Sequence, residues 1–169
     1  MENVFDKGAL VQLTISAWGG RAKIPSGTLV NKDRDKIDPV AVGAFKRLVD
    51  GEAIGAVTAI GARARVFVQS RALPFPVRGA DFVPIALTKE VDDQLEKMQG
   101  EFNEAADQFC ADFNKLREAA REVLGPLFDE SDYPRNLRER FSFDWGFVTL
   151  APAGNAQLLD PALVAKENA

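Results

Sequence analysis

One stretch, residues 88–128, constrains the fold of this chain more than any other. Its large apolar residues are Val91, Leu95, Met98, Phe102, Phe109, Phe113, Leu116, Val123 and Leu127, with Ala105 and Ala120 between them. Steps of three and four place all of them on one stripe of an α-helix. The intervening positions are rich in acids: Glu90, Asp92, Asp93, Glu96, Glu101, Glu104, Asp107, Asp112, Glu118 and Glu122. The spacing predicts a single amphipathic helix, N-capped by Thr88 and disrupted in its final turn by Gly125-Pro126. An extra step of four between Phe109 and Phe113 is a stutter, which straightens a helical pair. A helix of ~40 residues reaches about 60 Å, so its far end is expected to protrude from a domain of this size.

A second helical pattern precedes it. After Asp38-Pro39, a cap followed by proline in the first turn, Val42, Phe45, Val49, Ala53, Ala56, Ile60, Ala64 and Phe67 recur at threes and fours. This predicts a helical arm over residues 39–70, with a break at Asp50-Gly51 as the alternative because glycines interrupt it. In a continuous arm, Gly51 and Gly55 would let another backbone approach closely. Residues 39–80 carry six basic side chains (Lys46, Arg47, Arg63, Arg65, Arg71, Arg78) against Asp50 and Glu52, whereas residues 88–128 carry ten acids against five bases. Opposite signs suit two antiparallel helices, and Leu73-Pro74-Phe75-Pro76 turns the chain between them.

Strands flank the helical part. Residues 10–18 alternate, with Val11, Leu13, Ile15 and Ala17 on one face and Gln12, Thr14 and Ser16 on the other. Trp18-Gly19-Gly20-Arg21 then marks a turn. Residues 28–30 are read as a short extended piece within a charged connection. Ser131-Asp132-Tyr133-Pro134 starts a short helix running to Arg140. Residues 141–150 alternate again, with Phe141, Phe143, Trp145 and Phe147 on one face, a surface that is either core or binding. The expected fold is α+β and predominantly α: a long antiparallel helical hairpin with a small antiparallel sheet pairing the N- and C-terminal strands. Residues 1–150 form one domain in this reading. Residues 151–169 form a tail, with Asp160-Pro161 capping a last turn.

Composition narrows the chemistry. The chain contains no histidine, which removes Ser-His-Asp and Cys-His nucleophile systems and histidine zinc sites together. Cys110 is the sole cysteine, so no internal disulfide forms, and without an activating histidine it reads as an inert thiol beside Phe109. The first seven residues have neither the basic start nor the apolar core of a signal peptide, and no run is long enough for a membrane span. A cytoplasmic protein with no membrane association is expected. No phosphate-binding glycine loop is present, and no cofactor, metal or catalytic residue is expected.

The remaining candidates are surfaces. Asp92, Asp93, Glu96, Glu101 and Glu104 read as a solvated acidic face, not as a metal or acid–base cluster. Arg63, Arg65, Arg71 and Arg78 are explained by the acidic helix opposite. Arg135, Arg138 and Arg140 beside Trp145 offer the basic and aromatic mixture of single-strand binders, but the net charge of −4 does not favour nucleic acid.

The Trp18-Gly19-Gly20-Arg21 turn after a strand resembles the "tryptophan, small residue, glycine or serine, arginine" signature of domain of unknown function 3150. The helix after Asp38-Pro39, the Phe-rich long helix and the closing Arg138-Glu139-Arg140-Phe141-Ser142-Phe143 follow that family's order over residues 10–150. The resemblance implies a bacterial or phage protein encoded beside a MoxR-type AAA+ ATPase and a von Willebrand A protein. It carries no catalytic residue. The functional expectation is a non-enzymatic adaptor that docks an AAA+ ATPase or copies of itself, with Glu96, Glu101, Glu104, Trp18 and Arg21 facing the partner. The alternatives are a single-stranded nucleic-acid-binding factor using Arg135, Arg138, Arg140 and Trp145, or a phage structural component.

Overall fold

The computed structural model describes residues 7–24, 45–76 and 78–149. The short extended piece expected at 28–30, the helix start at Asp38-Pro39 with residues 39–44, and the tail after 149 lie outside the described residues.

The alternating N-terminal segment forms β1 (Gly8–Ser16), the central strand of a three-stranded antiparallel sheet. The alternating segment near the C-terminus forms β5 (Ser142–Val148) on one side of it, as the sequence pattern predicts, with ends trimmed by a residue or two. Opposed residues share a face. Ile15 faces Phe143, and Leu13 faces Trp145, on the side toward the helices. Gln12, Thr14 and Ser16 face outward with Gly146, Asp144 and Ser142. The aromatic face grades from Phe143, which is buried, through half-buried Trp145 to exposed Phe147. The inner end of this face is therefore core.

The strand on the other side was not predicted. β4 (Asp81–Pro84) lies between the prolines that turn the chain and the long helix, and pairs with β1 from Gly8↔Pro84 to Val11↔Asp81. Its Val83 is fully buried with Val11 in the main core, while Phe82, Leu10 and Ala80 make a smaller cluster on the outer face.

Gly20, with φ of +59°, turns the chain out of β1 into β2 (Arg21–Lys23). β2 pairs with β3 (Phe45–Arg47) in a separate two-stranded ribbon. This corrects the helical arm expected over 39–70: within the described residues its first part is extended, and α1 (Gly51–Arg71) begins only after Asp50. Asp50 accepts the Glu52 backbone N–H at 3.1 Å, so the break at Asp50-Gly51 is a helix start. The threes-and-fours pattern misled at Phe45, which is 65% exposed while its neighbour Lys46 is buried. The close approach at Gly51 and Gly55 was tied to a continuous arm, and α1 instead starts at Gly51. Among the described residues, no backbone atom of another segment lies within 4 Å of the place a Cβ would take on Gly51 or Gly55, whereas a Cβ on Gly61 would stand 3.2 Å from Ile15 Cγ2. Gly61 is where α1 rests on β1, and Arg65 donates to the Ile15 carbonyl beside it at 3.0 Å.

The long helix is α2 (Ile85–Leu124), 40 residues without interruption. It starts directly after Pro84, so Thr88 lies inside the first turn, where its hydroxyl donates to the Ile85 carbonyl, and is not the cap. Gly125 closes it, and 3-10 turns follow at Gly125–Leu127, Glu130–Asp132 and Arg138–Arg140 in place of the short helix expected after Ser131. Val91, Leu95, Met98, Phe102 and Phe109 are buried as the stripe required. Arg71 pairs with Glu90 and Arg63 with Glu101, so α1 and α2 run in opposite directions. The fold is α+β: one long helix and a shorter one on one face of a small antiparallel sheet. α1 has 21 residues against 40, so the two helices are not matched long arms. The end of α2 is also tied back rather than free: Lys46 of β3 reaches the Leu127 carbonyl at 2.7 Å and Asp132 at 2.5 Å.

Candidate functional site

Two surfaces gather the residues singled out by sequence. The first is a cleft of about 440 Å³ where β1 turns into β2 beside the start of α1, lined by Trp18, Arg21, Arg47, Val49, Ile54 and Thr58 among others. Its floor is built by packing. Trp18 stands edge-on to Phe113 at 5.6 Å between ring centroids and tilted against Phe109 at 6.2 Å, which makes it a pillar of the core with one border on the cleft. Tyr133 closes the far side of that aromatic group, its hydroxyl donating to the Leu48 carbonyl at 2.9 Å. Burial, followed by the nearby Asp132 carboxylate, pushes the Tyr133 phenol above its ordinary value.

The walls carry the charge. Arg21 and Arg47 are direct partners in the β2–β3 register, and both are exposed. Neither forms an ion pair with an acid among the described residues. Of the five residues expected to face a partner, Trp18 and Arg21 come together here; Glu96, Glu101 and Glu104 do not line this cleft. Arg47 and Thr58 were missed, because a helical reading of residue 47 hides its position opposite Arg21.

The second surface is the outer face of α2. Asp93, Glu96, Lys97, Gly100, Glu104, Gln108 and Lys115 are all exposed along it. Glu101 is committed to Arg63 within the chain, while Glu96 and Glu104 form no ion pair among the described residues. Asp93 is held by Lys89, both carboxylate oxygens at 2.8 Å, and Asp92 accepts the Trp145 indole N–H at 2.8 Å. Among the described residues, no group of three or more Cys, Asp or Glu is placed to hold a metal ion.

The order of elements, the Trp-Gly-Gly-Arg turn at the cleft and the long Phe-studded helix are features of the whole chain. A family model described as "Protein of unknown function (DUF3150)" matches residues 5–166. The chain belongs to this family. No curated protein and no solved structure matches it. In this DUF3150 chain, the four residues considered for nucleic acid serve different ends. Arg138 is consumed internally: it donates to Asp107 at 2.6 Å, Asn103 at 2.9 Å and the Phe141 carbonyl at 3.1 Å. Trp145 is fixed by Asp92 and by an edge-on contact with Phe143, leaving Arg135 and Arg140 exposed. Cys110 is half-buried, and burial raises its thiol more than the Arg138 guanidinium lowers it. Among the described residues, no helix is long and apolar enough to cross a membrane.

Proposed function

We propose that this protein is a non-enzymatic interaction component of a bacterial or phage system, an adaptor working in the cytoplasm that docks a protein partner along the outer face of α2. The observation that carries this reading is the contrast along one helix. Glu90, Glu101 and Asp107 are ion-paired to Arg71, Arg63 and Arg138, whereas Glu96 and Glu104 stand exposed and form no ion pair among the described residues. Charges left unpaired on a rigid element steer association and fix its register. The antiparallel contact of α1 with the first half of α2 supplies the stiff backing, a short form of the helical hairpin.

The partner proposed is a MoxR-type AAA+ ATPase, of the kind the family resemblance implies, docking through a basic surface. Co-purification of the two proteins tests the reading, with Glu96→Lys combined with Glu104→Lys as the variant. Loss of the ATPase with that double variant, while Glu122→Lys retains it, is the expected result. Absence of the ATPase from the wild-type complex, together with monomeric behaviour on sizing, would overturn it.

A further inference from the structure

We infer that the cleft between the β2–β3 ribbon and the start of α1 binds a short peptide segment presenting a carboxylate beside an apolar side chain. This rests on the interaction reading above but uses a different surface.

Like charges directly opposite one another in a sheet are destabilising. Arg21 and Arg47 are opposed in this way, with no acid among the described residues paired to either. The Arg47 guanidinium adds a second unfavourable placement. One of its Nη atoms lies 3.8 Å from the position a Cβ would take on Gly51, the first residue of α1. That end of a helix already carries positive character. Asp50 caps this end, accepting the Glu52 N–H, but neither Asp50 nor Glu52 forms an ion pair with Arg21 or Arg47. The fold therefore places two guanidinium groups on one wall of the cleft, and neither is ion-paired to an acid among the described residues. An anion from outside relieves this repulsion, and the planar guanidinium forks suit a carboxylate.

The opposite wall decides what kind of anion. Val49 and Ile54 are core residues whose edges reach the cleft, and Trp18 adds an indole border. A bare inorganic anion leaves these apolar surfaces wet. A peptide with an acidic residue next to Leu or Phe fills both walls. The volume of about 440 Å³ falls within the range of ligand-binding clefts, ~300–1,000 Å³.

The test uses the full-length chain and two fluorescein-labelled pools of short peptides: one combining Asp or Glu with Leu or Phe, the other carrying Asn or Gln in place of the acids. Fluorescence anisotropy is expected to show the acidic pool binding at least about tenfold more tightly, as expected for charge-assisted hydrogen bonds. Arg21→Gln with Arg47→Gln should abolish that preference, and Arg47→Glu should not restore it. Glu96→Lys with Glu104→Lys should leave it unchanged, which separates failure of this site from failure of the α2 face. Because the arginines repel, Arg47→Gln should also raise the urea midpoint. Equal binding of both pools, retention of the preference in the double arginine variant, displacement of the acidic pool by equimolar inorganic phosphate, or a drop in the urea midpoint would each overturn the proposal. So would a dimer that dissociates in the double arginine variant, since a second copy would then be the occupant.

Discussion

The ammonium of Lys46 donates to the carbonyl oxygen of Leu127 at 2.7 Å and meets Asp132 at 2.5 Å, joining the β2–β3 ribbon to the far end of the long helix. Lys46 is 8% exposed, and its side chain is the one charged group buried to that degree among the described residues. A buried ion is tolerated when its partners are good, and removal of one side leaves the other desolvated and unpaired. Lys46→Met is therefore expected to cost about 3 kcal/mol in urea unfolding. Asp132→Asn should cost less, because the Leu127 carbonyl still receives the ammonium.

Three glycines of the helices separate packing from propensity. Gly55 and Gly100 have open space where a Cβ would sit, so Gly55→Ala and Gly100→Ala should each stabilise by about 0.5–1 kcal/mol. A Cβ on Gly61 would stand 3.2 Å from Ile15 Cγ2, and Gly61→Leu is expected to destabilise by about 1–3 kcal/mol through overpacking against β1. Thermal unfolding of the three variants reads the difference in sign.

Arg138 and Arg135 look alike in the sequence and differ in the fold. Arg138→Ala loses bonds to Asp107, Asn103 and the Phe141 carbonyl, and a loss of about 1–3 kcal/mol is expected by denaturant titration. Arg135→Ala, at an exposed position, should stay within about 0.5 kcal/mol of the parent.

Tyr133 is the sole tyrosine, so phenolate absorbance reports on it alone. Its phenol is raised above 10.0 in the folded chain, chiefly by burial and then by Asp132. The folded state thus favours the protonated form. The stability this contributes is present below about pH 10 and lost as pH rises through the folded value. The absorbance midpoint should lie above that of the urea-unfolded chain, and Tyr133→Phe should blunt the alkaline fall in stability. A midpoint equal to that of the unfolded chain would contradict the burial of this hydroxyl.

The parts of the fold legible in the sequence were those with one dominant periodicity. The stripe from Val91 to Phe109 and the alternation at Leu13 and Ile15 reflect a single environment on each face, so spacing alone revealed α2, β1 and the start of β5. β3 was hidden because it is short and its buried residue is a lysine, while its apolar Phe45 points to solvent. β4 was hidden by the proline at its end, which usually argues against a strand. Within the cleft, Trp18 and Arg21 announced themselves as a local motif. Arg47 did not, since its meaning comes from a register with Arg21 that only the folded ribbon creates.

Asp81–Pro84 passes into Ile85–Leu124 with no loop between them. Pro84 is paired with Gly8 on one side and begins the helix on the other, with its φ set by its own ring at −55°. A strand joined to a helix in this way has no slack. The first turn of α2 is thus fixed to the edge of the sheet, so a shift of β4 along β1 would carry that end of the helix with it instead of being absorbed in a linker.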